Sequence, residues 1–244
     1  MRALHALIIN KSGCLVSVTA DDPDSALATI EPLVAGIPDG RLISSEIPFA
    51  CQSGGPKGIE ISSSVNFVAN TWACATDEFR PFFVLAKNLS TGYLWNKIRV
   101  EGWAYGGMAL ISSGHPLFAC ASYRDPNLIS TLGHFEEGLR QAAHGLPADA
   151  VDQNVIATIG RIDAPQTPHG KGLGETIALL CGRTPEIRQR TRESVLSVSP
   201  ETLSRAAQRL LDEKRTAITI LGSPSAFDQA QKEGLQLTRE KLIA

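Results

Sequence analysis

Histidine is scarce in this chain and poorly spaced for metal chemistry. The 244 residues hold five (His5, His115, His134, His144, His169), and no two lie three to five positions apart. The motifs H-E-x-x-H and H-x-x-E-H are both absent, so no zinc site is expected from this chain alone. His134-Phe135-Glu136-Glu137 comes nearest and reads as an ordinary amphipathic helix. The five cysteines (Cys14, Cys51, Cys74, Cys120, Cys181) are odd in number, far apart and never C-x-x-C. That pattern excludes a disulfide framework and a zinc ribbon, and each thiol is expected to be a small buried hydrophobe. Charge of one sign is lacking too: 23 basic residues face 25 acidic ones, for a net charge of −2. Phosphate binding needs an excess of Lys and Arg, so nucleic acid is not expected as a partner. No apolar run reaches the roughly 18 residues of a membrane span, so no membrane partner is expected either. There is no G-x-S-x-G elbow and no Walker spacing. Gly170-Lys171-Gly172-Leu173-Gly174 therefore reads as a flexible helix entry. Internal repeats and low-complexity tracts are also missing.

The remaining sequence has the composition of an ordinary globular protein, with 43% hydrophobic residues, and it is long enough to bury a core of its own. Residues 1–244 read as a single domain, since no linker interrupts them. Leu15 to Thr19 is β-branched and strand-like, and it leads into Asp21-Asp22-Pro23, a helix entry with an Asp cap. Strands are expected over Ile59–Ser63 and Val65–Ala73. A helical region follows, opened by Asp77, running from Glu78 to about Arg99 and broken near Gly92. Tyr105–Ser112 and Leu117–Arg124 form a hairpin whose turn is Gly114-His115-Pro116. Asp125-Pro126 starts a long helix with Leu128, Leu132, Phe135 and Leu139 at helical spacing, and two or three more helices fill 147–213. Ala217–Leu221 is the last strand, and the tail after Gly222 is polar and helical. Strands arrive in pairs with helices grouped between them. That order favours an α+β fold, an antiparallel sheet with helices packed on one face.

One segment stands apart: Ile98-Arg99-Val100-Glu101-Gly102-Trp103-Ala104-Tyr105-Gly106-Gly107-Met108. A helix ends with Arg99, glycines surround a tight crossing, and a strand begins at Tyr105. Glycine lets another backbone approach closely, and an Arg and a Tyr flanking the gap bring a charged donor and a phenol to one point. From the residues alone, a surface Arg99 with a core aromatic Tyr105 is the favoured reading.

The same segment resembles the C-terminal half of presequence proteases, in the pitrilysin and insulin-degrading-enzyme group of inverzincin metallopeptidases. The resemblance rests on Tyr93-Leu94-Trp95-Asn96-Lys97-Ile98-Arg99-Val100, then Gly102 and Ala104-Tyr105-Gly106-Gly107. It continues in order through Leu15 to Asp22, Ser122-Tyr123-Arg124-Asp125-Pro126-Asn127-Leu128, and Ile159 to Gly172, and so covers nearly the whole chain. It implies the metallohydrolase domain fold of pitrilysin and mitochondrial processing peptidase. It also implies one part of a four-domain chain whose two halves close like a clamshell around a peptide. By resemblance this chain is the fourth, non-catalytic domain and a fragment of a longer protein. Its partners would be the N-terminal catalytic half of the same protein and peptide substrates. It would hold no cofactor itself, the zinc belonging to that other half. Tyr105 would donate to the scissile carbonyl as it becomes an oxyanion, and Arg99 would hold the substrate backbone. Gly102, Trp103, Gly106 and Gly107 would complete the substrate site. Trp103 stands where the family usually has a second glycine before the Ala-Tyr. That departure, with the missing metal motif, supports the alternative of a peptide-binding or assembly module without a proteolytic role.

Overall fold

The computed structural model describes residues 2–41, 55–74, 80–111, 117–213 and 215–242. The chain divides into two compact units, Met1–Cys51 with Pro165–Pro185, and Gln52–Ala164 with Glu186–Ala244.

The smaller unit is helical. It contains α1 (Arg2–Ile8), α2 (Pro23–Ala35) and, from the later part of the chain, a helix at Pro168–Leu180. The Asp22 carboxylate accepts from the Ser25 N–H at 3.2 Å, and Pro23 occupies the first turn, as the Asp-Pro pair predicts. Leu15 to Thr19 forms no strand here. β-branched residues favour extended backbone, but a strand exists only where a neighbouring strand takes its hydrogen bonds. The segment is pinned instead by side chains, with Ser17 Oγ accepting from Thr176 Oγ1 at 2.6 Å. Cys14 and Cys181 are exposed rather than buried. This unit buries little, and α2 has no buried residue at all.

The larger unit holds a six-stranded sheet. Its strands are β1 (Lys57–Glu60), β2 (Asn66–Ala73), β3 (Gly106–Ile111), β4 (Leu117–Asp125), β5 (Arg215–Gly222) and β6 (Thr238–Lys241), in the order β3-β4-β2-β5-β1-β6. The first four in that order pair antiparallel, whereas β1 lies parallel to both β5 and β6. The helices are α3 (Pro81–Thr91), α4 (Ile129–Ala143), α5 (Ala148–Ile162), then, after α6 at Pro168–Leu180, α7 (Pro185–Leu196), α8 (Pro200–Asp212) and α9 (Pro224–Lys232). The α+β class follows as expected, and one face of the sheet receives the core. Val68 and Trp72 of β2, Phe118 and Cys120 of β4, and Ile218 and Ile220 of β5 pack with Phe82 and Leu85 of α3, Phe135 of α4 and Leu203 and Leu210 of α8. Each such side chain contributes roughly 1.5–3 kcal/mol by leaving water. The alternate residues Phe67, Ala69 and Thr71 of β2, and Ala119, Ala121 and Tyr123 of β4, stay half-buried or exposed on the other face.

Local chemistry sets the helix boundaries. Ser199 and Thr202 form a reciprocal capping box at the start of α8, whose Leu203, Ala206, Ala207 and Leu210 make its buried stripe. β4 runs to Asp125, and α4 starts only at Ile129, later than the Asp125-Pro126 pair suggests. Four helices lie between 147 and 213 rather than two or three. β6 was unreadable in sequence because Thr-Arg-Glu-Lys has no apolar alternation. It is held by pairing with β1 and by an Arg239–Asp228 ion pair at 2.7 Å. The expected turn at Gly114-His115-Pro116, the helix start at Asp77 and Cys51 lie outside the described residues. Among the described residues, no helix is long and apolar enough to cross a membrane.

Candidate functional site

The helical region expected to run on to Arg99 changes character after Gly92, which ends α3 by donating to the Asn88 carbonyl at 2.9 Å. Trp95–Glu101 is a π-helix, a widened turn that is uncommon in proteins and frequent at functional sites. Two glycines make this turn fit. A Cβ on Gly102 would stand 2.6 Å from the Ile98 carbonyl oxygen and 2.8 Å from that of Lys97. A Cβ on Gly107 would stand 2.8 Å from Ile98 Cβ, so only glycine lets the π-helix lie this close to β3. Gly106 differs, because its nearest neighbour for a Cβ is Met108 Cε at 3.5 Å.

Between Gly102 and Gly106 the chain bends sharply into the sheet. The Ala104 N–H donates to the Ile98 carbonyl at 3.1 Å. Trp103 sits in the left-handed region at φ +62° and is 84% exposed. Such a conformation costs a side-chain-bearing residue roughly 1–2 kcal/mol. The bend is latched from α4's entry loop, where Asn127 Nδ2 donates to the Gly102 carbonyl at 2.7 Å. Asn127 is itself held, since its N–H donates to Asp125 Oδ1 at 2.8 Å and its carbonyl accepts from Asn66 Nδ2 at 3.3 Å. The fully buried Asp125 also accepts from Thr131 Oγ1 at 2.7 Å. Sequence reasoning missed Asn66, Asp125, Asn127 and Thr131 as supports of the site. The run Asp125-Pro126-Asn127 was the available signal.

The bend delivers Arg99 and Tyr105 to one place. The Arg99 guanidinium carbon lies 4.2 Å from the Trp95 ring centroid and 5.9 Å from that of Tyr105. Cation–π attraction thus orients the Arg99 side chain without consuming its N–H donors. Tyr105 is 67% exposed, which excludes the core-aromatic reading. Its ring meets Tyr123 edge-on at 5.6 Å, and Tyr123 meets Phe67 at 5.3 Å, so an aromatic row props it on the sheet. Among the described residues, neither the Arg99 guanidinium nor the Tyr105 hydroxyl has a hydrogen-bond partner. Arg99, Trp103, Ala104, Tyr105, Val65 and Arg124 line one depression. Trp103 also borders a second one with Gly102, Asn127, Thr131 and His134, and so stands as a ridge between the two. Of the six residues singled out in sequence, Arg99, Trp103 and Tyr105 therefore come together. Gly106 lies half-buried beside them, and Gly102 and Gly107 act on the backbone, with Gly107 buried under Ile98.

The arrangement offers a charged donor and a phenol donor to a ligand. The Lys97 ammonium is engaged elsewhere, bonded to Glu101 at 2.7 Å, which raises its pKa. Among the described residues, no group of three His, Cys, Asp or Glu side chains is gathered as a metal site.

Residues 61–221 match a family model described as the PreP C-terminal domain. The chain is 30% identical to presequence protease 1, chloroplastic/mitochondrial, of Arabidopsis thaliana, over 96% of its own length and 22% of that protein. It therefore spans about a fifth of that relative. Among solved structures, it is similar to a peptidase M16 inactive domain from Pseudomonas fluorescens, with TM-score 0.59 and 13% identity over 83% of this chain and 51% of that one. It is also similar to pitrilysin, with TM-score 0.59 and 12% identity over 91% of this chain and 25% of that one. These two share the fold.

Proposed function

The chain belongs to the presequence protease family, whose C-terminal, inactive-type domain it carries, and from that premise we propose that it completes a peptide-binding chamber. In this reading the 244 residues correspond to the fourth domain of a four-domain peptidase and close against an N-terminal catalytic half. Zinc belongs to that half and supplies an activated water there, while this chain's residues bind and orient the peptide. Arg99 holds the peptide backbone by donating to its carbonyls, and Tyr105 donates its hydroxyl hydrogen to the scissile carbonyl oxygen as negative charge develops on it. Gly102 serves by closing the chain against the last carbonyls of the π-helix, Gly107 by letting that helix approach β3, and Gly106 leaves room beside Tyr105. Trp103 forms a wall against which substrate packs.

One observation carries this reading. An exposed guanidinium and an exposed phenol, both without intramolecular hydrogen bonds among the described residues, line the same depression. A donor already aimed at developing charge can lower a barrier by about 3 kcal/mol. The test is made in the full-length peptidase. Tyr105→Phe should lower kcat at least ~10-fold and up to ~10³-fold with little change in KM, and Arg99→Ala should lower kcat/KM comparably. Normal turnover in both variants refutes the roles.

A further inference from the structure

Among the described residues, two that are not glycine have positive φ: Trp103 at +62° and Arg124 at +50°. They come from different elements, yet both line the depression that holds Arg99 and Tyr105. The Arg124 conformation arises from a β-bulge. Asn66 of β2 pairs with Asp125 and Val68 pairs with Ser122, so Phe67 alone faces two residues, Tyr123 and Arg124. Along β4 the buried positions alternate as Phe118, Cys120 and Ser122, and unbroken alternation would bury residue 124. The extra residue moves Asp125 onto the buried face and leaves Tyr123 and Arg124 both exposed. The Tyr105 N–H donates to the carbonyls of Tyr123 at 3.1 Å and Arg124 at 3.3 Å, so the bulge and Tyr105 are fixed to one another. Glycine would adopt this backbone without steric cost, whereas arginine does not.

The bulge therefore adds a second guanidinium to the depression. Its lining contains two arginines and no carboxylate. Neither Arg99 nor Arg124 has an ion-pair partner among the described residues. A pair of uncompensated guanidiniums suits a planar, bidentate anion. We propose that Arg124, acting with Arg99, is a substrate-contacting residue that binds a peptide carboxylate, and that it selects peptides carrying one close to the bond held at Tyr105. The inference rests on the reading of this depression as a peptide site. A carboxylate reaches it either as a free peptide C-terminus or as an acidic side chain.

The test titrates the 244-residue chain with matched dye-labelled peptides and reads fluorescence anisotropy. One peptide ends in a free carboxylate, a second is its C-terminal amide, and a third is the amide with a single Gln replaced by Glu. At least one carboxylate peptide should bind about fivefold or more tighter than the plain amide, with the advantage shrinking in high salt. Which of the two gains identifies the source of the carboxylate. Arg124→Gln should erase the advantage and leave amide binding within about twofold, and Arg124→Lys should keep part of it. Arg124→Gly repeats the experiment with a residue that takes the bulge backbone freely. Equal binding of all three peptides, or an advantage that survives Arg124→Gln and Arg124→Gly, overturns the carboxylate site and leaves the peptide-site reading standing. Failure of every peptide to bind overturns both.

Discussion

Replacing Trp103 by glycine and by alanine separates what the indole does from what its backbone costs. Both variants delete the same side-chain contacts. They differ in whether a Cβ remains at φ +62°. Alanine retains the left-handed penalty of roughly 1–2 kcal/mol, whereas glycine removes it but loses about 0.5–1 kcal/mol to the greater freedom of its unfolded chain. The glycine variant should therefore be the more stable by about 0.5–1 kcal/mol. At an ordinary right-handed position the order is reversed, because alanine then wins by about the same amount. The indole itself is 84% exposed, so its small buried remainder contributes at most about 1 kcal/mol. Trp103→Gly should thus lie within about 1 kcal/mol of the parent chain. The assay is thermal unfolding read through the fluorescence of Trp72, which is 2% exposed and reports on the larger unit. For a chain of this length the glycine variant should melt about 1–4 °C above the alanine variant. If alanine melts at or above glycine, position 103 is not held in a left-handed conformation, and the claim that the fold retains a strained residue beside Tyr105 fails.

Two further outcomes follow from the geometry. Gly107→Ala should destabilise the chain by about 1–3 kcal/mol in urea denaturation, because the new Cβ would have to push the π-helix off β3. Gly106→Ala is the control and should shift the midpoint little, since its Cβ would meet only Met108 Cε at 3.5 Å. Burial pushes the Cys74 thiol up to about 11 and raises that of Cys120 as well, so both stay protonated well above neutral pH. Alkylation at about pH 8, mapped by peptide mass, should modify the exposed Cys14 and Cys181 well before either of them.

Strain is concentrated where the chemistry is proposed. The two side-chain-bearing residues with positive φ among those described, Trp103 and Arg124, flank Tyr105 in one depression. Each is over-determined by its surroundings: Trp103 lies between the sterically obligatory Gly102 and the Ala104–Ile98 hydrogen bond, and Arg124 lies in a bulge clamped by the Tyr105 N–H. Backbone strain of this kind persists only when neighbouring contacts hold it. The latch from Asn127 to Gly102, supported by buried Asp125, has the same effect from the α4 side.

Much of this protein is legible in its sequence. The periodicities of β2, β4 and α4 follow directly from local side-chain pattern, as does the Asp22 cap. These depend on residues a few positions apart, and the α+β class follows from their order. Arg99, Trp103 and Tyr105 were identifiable as a group through resemblance, because they sit within a few residues of one another between glycines. What stayed hidden depends on partners distant in sequence. Leu15 to Thr19 has strand composition and no strand, because no ladder receives it, while Thr238–Lys241 lacks strand composition and becomes one because β1 has an edge to fill. The π-helix is decided by how closely Gly107 lets Ile98 approach the sheet. Arg124 could not be foreseen as a neighbour of Tyr105, since alternation along β4 would have buried it, and only the two-against-one pairing with Phe67 brings it outward. The sequence by itself determined those elements whose pattern is local, the glycine-flanked Arg and Tyr, and the lack of histidine spacing for a zinc site. Tertiary structure alone decided which side chains share a depression, because a bulge or a widened turn arises from cross-strand register and backbone approach, which couple residues far apart in the chain.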